Sequence, residues 1–87
     1  MLIIYGTMLC KDCVACRKAF DQAGVSYEYR DFAADIGYLK EFLAIRDREP
    51  LFVQVRENGG IGVPCILTEE GEVTLDWEHF LPDGKHM

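Results

Sequence analysis

The hydrophobic positions along this chain change period several times, and each change marks an element. Leu2-Ile3-Ile4-Tyr5 is a short continuous apolar run, the pattern of a buried strand. Gly6 to Leu9 breaks it as a loop. From about Lys11 to Ala23 the apolar residues Val14, Ala15, Ala19, Phe20 and Ala23 recur at helical spacing, and Gly24 stands where a helix C′ glycine belongs. Val25 to Phe32 alternates through Val25, Tyr27 and Tyr29 as a second strand. Asp35 is placed to N-cap a helix running to about Arg46, with Ile36, Leu39, Phe42, Leu43 and Arg46 at its period. Pro50 can open a further helix at its first position, carried on by Phe52, Val53 and Val55 and stopped by Asn58-Gly59-Gly60. Pro64 to Leu67 is a strand, Glu69-Glu70-Gly71 a turn, and Glu72 to Leu75 the returning arm of a hairpin. Asp76 can cap a last short helix, Trp77 to Leu81, ended by Pro82-Asp83-Gly84.

The predicted order is β-α-β-α-α-β-β-α. Its opening βαβ unit requires parallel strands and a right-handed crossover. The closing hairpin adds antiparallel strands, so the fold class is α/β: a mixed four-stranded sheet flanked by helices. With 87 residues the chain is expected to be one domain, residues 1–87. No repeat, linker or low-complexity tract interrupts it.

Charge narrows the function. The formal net charge is −6, against the basic face that nucleic acids and anionic membranes require. The expected partners therefore include neither nucleic acid nor membrane, and the expected state is a monomer. Residues 1–5 lack the basic start and long apolar stretch of a signal peptide, so the expected compartment is cytoplasmic. Four cysteines in that compartment are reduced at rest, and point to catalysis or metal binding rather than structural disulfides.

Three of them form C-x-x-C-x-x-C: Cys10, Cys13 and Cys16. The first pair falls between a strand and a helix of a βαβ pattern, which is where redox pairs occur. A helix N-terminus has unpaired N–H groups and partial positive charge, and both favour a thiolate at Cys10. Lys11 adds to this and Asp12 opposes it. Cys10 is then the nucleophile toward a disulfide, and Cys13, one helical turn on, resolves the mixed disulfide. Cys16, a further turn along the same face, is open to three readings: a small buried helix residue, an alternative resolving thiol, or a metal ligand. In the last, Cys10, Cys13 and Cys16, with Cys65 as an available fourth, would hold zinc or an iron–sulfur cluster, making the protein a carrier or redox sensor.

The strand–loop–cysteine run Ile3-Ile4-Tyr5-Gly6-Thr7-Met8-Leu9-Cys10-Lys11-Asp12-Cys13 resembles the opening of glutaredoxins. Phe20, Gly24-Val25-Ser26-Tyr27-Glu28 and Val63-Pro64 fall at that family's spacing, and the triple cysteine with Gly62-Val63-Pro64-Cys65 is most similar to bacterial glutaredoxin-related proteins. The resemblance covers residues 1 to about 75. It implies a thioredoxin-like fold, disulfide oxidoreductase activity in electron transport and redox homeostasis, and a cis Pro64 beside the pair, with the Val63 backbone offered to an extended substrate. Read from the residues alone, an ordinary trans strand-start proline stays open at position 64. The substrate contacts implied are Leu9, Lys11, Asp12, Val63, Pro64 and Asp76. Where the family has Thr before Val-Pro, this chain has Gly62; where a Lys is common before the first Cys, it has Thr7; and Thr74-Leu75-Asp76 replaces the Gly-Gly-acidic segment. Those positions hold glutathione. Their loss shifts the expected partner toward a protein disulfide client and a reductase donor, with glutathione open and no bound cofactor. His79, His86, Trp77, Tyr5, Tyr38, Glu69-Glu70 and the charged run Arg46-Asp47-Arg48-Glu49 read as surface, core or solvated positions without a role in the chemistry.

Overall fold

Side chains alternate across a strand, and on the first strand the two sets are apolar on both sides. Leu2 and Ile4 pack on one face of the sheet, Ile3 and Tyr5 on the other. A strand of this kind must be central, with layers above and below it. The computed structural model, which describes residues 1–81, has that arrangement. Its elements are β1 (Leu2–Gly6), α1 (Lys11–Ala23), β2 (Tyr27–Asp31), α2 (Ile36–Arg48), α3 (Phe52–Glu57), β3 (Cys65–Leu67), β4 (Val73–Thr74) and a 3-10 turn at Trp77–Phe80. The strand order is β2-β1-β3-β4. β1 and β2 are parallel, Ile4 opposite Tyr29; β3 runs antiparallel to β1, Tyr5 opposite Cys65, and β4 antiparallel to β3. The chain is thus an α/β fold with a mixed four-stranded sheet and three helices.

Two cores sandwich the sheet. On the α1 side Ile4, Cys16, Phe20, Ile66 and Leu81 are buried together, with Trp77 and Phe80 edge-on to Phe20 at 6.2 and 6.5 Å. On the α2/α3 side lie Tyr5, Phe42, Ile45, Phe52 and Cys65, where Phe42 stacks on Phe32 at 5.2 Å and meets Phe52 edge-on at 6.1 Å. Such ring pairs contribute about 0.5–1.5 kcal/mol each beyond area burial. Tyr5 is also tethered: its hydroxyl donates to Glu41 at 2.8 Å and accepts from Arg30 at 2.9 Å, tying α2 to the sheet. Among the described residues no helix is long and apolar enough to cross a membrane.

Several expectations shift at their edges. β2 starts at Tyr27 rather than Val25, because the Val25 N–H closes the end of α1 by donating to the Phe20 carbonyl at 2.9 Å. α2 buries Phe42 and Ile45, while Ile36 and Leu43 are exposed; the stripe facing the sheet is Leu39, Phe42 and Ile45. α3 opens at Phe52 with Pro50 in the preceding turn. Asp35 does cap α2, accepting from the Gly37 N–H at 2.8 Å, but Asp76 caps nothing with its side chain, and the last element is a 3-10 turn. Arg46 is not merely solvated: it donates to the carbonyls of Ile61 at 2.9 Å and Gly60 at 2.7 Å, anchoring the segment that leads into β3. The expected stop at Pro82-Asp83-Gly84, and His86, lie outside the described residues.

Candidate active site

β1 delivers the chain to the mouth of the sheet, and the loop after it is turned by local hydrogen bonds. The Cys10 N–H donates to the Thr7 carbonyl at 3.1 Å, and the Leu9 N–H to Thr7 Oγ1 at 3.2 Å. This turn sets Cys10 as the N-cap of α1, in extended backbone, with its carbonyl accepting the first helical bond from Val14 at 3.1 Å. Cys10 is half-buried, so its sulfur is within reach of solvent beside the free N–H groups of the first turn. Leu9 is 89% exposed, and Lys11 and Asp12 are exposed on either side of the thiol.

Cys13, one turn on, is fully buried. A methyl group built on Gly6 would sit 2.7 Å from Cys13 Sγ and 3.1 Å from the Tyr29 hydroxyl oxygen. The end of β1 therefore has no side chain because the Cys13 sulfur and the Tyr29 phenol occupy that space. Burial, with a hydrogen bond toward Cys10, pushes the Cys13 thiol up to about 12, partly offset by the Thr7 backbone and the Tyr29 hydroxyl. Cys13 keeps its proton at neutral pH.

Cys16 continues the stripe Cys13–Cys16–Phe20 into the α1-side core. Burial pushes its thiol up to about 12. It behaves as a small apolar residue there. Cys65 is buried in the core of the other face, among Tyr5, Phe42 and Phe52, and is likewise pushed up to about 12 by burial. The sheet separates it from Cys16. The expectation that Cys65 could complete a ligand set with Cys10, Cys13 and Cys16 is corrected on that ground: α1 carries those three on one side of the sheet, and β3 turns Cys65 into the core on the other. Among the described residues no three His, Cys, Asp or Glu side chains gather as metal ligands.

Val63–Pro64 is a cis peptide, and Pro64 is buried. Extending the Tyr5–Cys65 register by one residue sets Pro64 across from Gly6, on which Cys13 rests. Val63, half-buried, lies just before β3 and outside its ladder. Gly62 has φ +92, and a methyl group there would be 2.4 Å from the Phe52 ring. A side chain at that position would therefore collide with the Phe52 ring. Asp76 is not brought to the cysteines: with Glu49, Glu72, His79 and Phe80 it lines an open cavity of about 580 Å³ that no cysteine borders. Sequence reasoning passed over Gly6, Tyr29 and Arg17. Arg17, four residues after Cys13, lays its guanidinium 4.5 Å from the centre of the Tyr29 ring; that i+4 spacing was the available signal.

Over 74 residues, 85% of this chain and 86% of the relative, the sequence is 30% identical to an uncharacterized protein of Haemophilus influenzae. No protein-family model matches the chain, and no solved structure matches it.

Proposed function

The chain belongs to the family of that Haemophilus influenzae protein, and we propose that its work is thiol–disulfide exchange on a thioredoxin-like, glutaredoxin-like fold, with Cys10 as nucleophile and Cys13 as resolving thiol. The observation that carries this reading is the pairing of a half-buried thiol at a helix N-cap with a sealed thiol one turn later. The arrangement separates two roles. Cys10 can be reached by a disulfide; Cys13 can be reached only by whatever is bonded to Cys10. The strand order β2-β1-β3-β4, with Pro64 in cis across from Gly6, supports the fold assignment.

The chemistry runs in two exchanges. The Cys10 thiolate attacks one sulfur of a substrate disulfide, the substrate's other sulfur leaves, and a mixed disulfide forms. Cys13 gives up its proton and attacks Cys10 Sγ; the bond to substrate breaks, the leaving sulfur takes a proton, and Cys10–Cys13 is oxidised. A dithiol donor then reduces the pair. The exposed apolar Leu9 and the Val63 backbone outside the β3 ladder suit an extended protein segment. The departures at Thr7 and Gly62, and the distance of Asp76 from the pair's surroundings, favour a protein client and a reductase over glutathione, in a cytoplasmic setting.

The experiment is disulfide reduction on insulin by the purified chain. Cys10→Ser abolishes it, and Cys13→Ser accumulates a covalent adduct on Cys10. Full activity in Cys10→Ser overturns the proposal.

A further inference from the structure

Tyr29 is an unusual occupant for the floor of this site. It lies on β2, directly beside Ile4 of β1, and its hydroxyl converges with Cys13 Sγ on the space left by Gly6. That hydroxyl oxygen is sealed from solvent and makes no hydrogen bond. Leaving a buried polar group unpaired costs about 1–3 kcal/mol in general, so such groups are rare and need a reason. Here the neighbour is a thiol. A neutral thiol is a weak acceptor, whereas a thiolate is a strong one. The ring cannot swing away, because the Arg17 guanidinium is packed on its outer face at 4.5 Å, itself held by the Tyr27 hydroxyl at 3.3 Å and Met8 Sδ at 3.4 Å.

We propose that the Tyr29 phenol is the hydrogen-bond donor that stabilises the Cys13 thiolate during resolution of the mixed disulfide. The inference rests on the exchange reaction proposed above and assigns a role that spacing around the cysteines does not reveal. In the resting dithiol the donor has no acceptor. As Cys13 ionises it becomes a strong acceptor beside that phenol, so a small adjustment closes a hydrogen bond to a charge that appears only in the second exchange. The Thr7 backbone also favours the Cys13 thiolate. Tyr29 does not take the proton: that proton leaves with the released substrate thiol, and the Cys13 electron pair forms the new S–S bond. The titratable and charged groups facing the phenol are Cys13 and Arg17 of α1 and Asp31 of its own strand. Burial, with Cys13 and Asp31, raises its ionisation above the ordinary range for a tyrosine, so it stays protonated and remains a donor at neutral pH.

The test is Tyr29→Phe in the full chain, followed by stopped-flow reaction of the reduced protein with a limiting aromatic disulfide whose released thiolate is coloured. Wild type gives two releases: the first as Cys10 forms the mixed disulfide, the second as Cys13 resolves it. A hydrogen bond to a charged group shifts ionisation by about one to two pH units. A stabilised thiolate is also a weaker nucleophile, so about half of that shift survives in the rate. Tyr29→Phe therefore leaves the first release unchanged and slows the second about three- to tenfold. The thermal midpoint of the reduced variant does not fall, because the hydroxyl it loses was unbonded. A second release at wild-type speed overturns the role of Tyr29. Equal slowing of both releases with a lower midpoint also overturns it, by showing a structural effect instead. Absence of any first release from Cys10 refutes the underlying exchange reaction, an outcome distinct from the others.

Discussion

The contact between Gly6 and Cys13 can be tested with one added methyl group. In Gly6→Ala the new Cβ would lie 2.7 Å from Cys13 Sγ, 3.1 Å from the Tyr29 hydroxyl and 3.5 Å from Cys13 Cβ. Non-bonded heavy atoms settle at about 3.5–4.0 Å, so the sulfur has to retreat by about 1 Å. It has nowhere easy to go, since Cys13 and Cys16 on that face are both fully buried. Either Cys13 changes rotamer or the start of α1 lifts from the sheet. Overpacking of this kind costs about 1–3 kcal/mol. For a domain of this size each kcal/mol lowers the midpoint by about 4–8 °C. The functional cost is larger, because a misplacement of about 1 Å between reacting groups can slow a step about a hundredfold. Urea denaturation of the reduced protein measures the first effect, and release of thiol from the mixed disulfide measures the second. Gly60→Ala is the control: its nearest neighbours, both on Val55, stand at 3.4 Å, an ordinary contact. We expect that control to change stability by less than about 1 kcal/mol. If Gly6→Ala unfolds at the wild-type urea concentration and resolves at the wild-type rate, Cys13 does not rest on Gly6 and the reasoning fails.

Two other outcomes follow from packing and burial. Cys13, Cys16 and Cys65 are held as thiols up to about 12, against an ordinary value of 9.0. Above about pH 9 the unfolded chain releases protons that the folded chain retains, so stability falls with rising pH, by at most about 1.4 kcal/mol per pH unit for each thiol. Below that range these groups contribute no slope. Urea midpoints measured from about pH 8 to about pH 10 should show the gap between wild type and Cys65→Ala narrowing as pH rises; a constant gap speaks against the burial of that thiol. Gly62→Thr combines φ +92 with a Cβ 2.4 Å from the Phe52 ring. It should lose about 3 kcal/mol or more in the same assay, and a loss under about 1 kcal/mol would contradict the placement of Phe52.

Much of the architecture is legible because period and punctuation agree. α1 is observed over the residues its pattern predicts, and Gly24 and Asp35 occupy their expected caps. What sequence spacing could not supply was depth. Val14 reads as part of the apolar face of α1 yet is exposed, because the cysteines themselves form the buried stripe. C-x-x-C-x-x-C is thus a packing pattern as well as a chemical one, and the two readings cannot be separated from one sequence. Nor does a count of cysteines report the face of a strand: β3 pairs with β1 and sets Cys65 in the α2/α3-side core, away from Cys16. Arg46 seemed a solvated end residue because its partners are backbone carbonyls, which no side-chain pattern encodes. Tyr29 was counted as one of several alternating strand residues, and its role depends on the residue that is missing opposite it.

The two cores have a consequence for how this protein breathes. Among the described residues, three of the eight largest fully buried side chains are cysteines. Cys16 sits in one core and Cys65 in the other, with the sheet between them. Each half of the interior therefore carries its own chemical clock. A thiol-modifying reagent reaches Cys16 only when α1 and the terminal turn part from the sheet, and Cys65 only when α2 and α3 do. Their separate labelling rates record which side of the molecule opens first, without any probe being introduced.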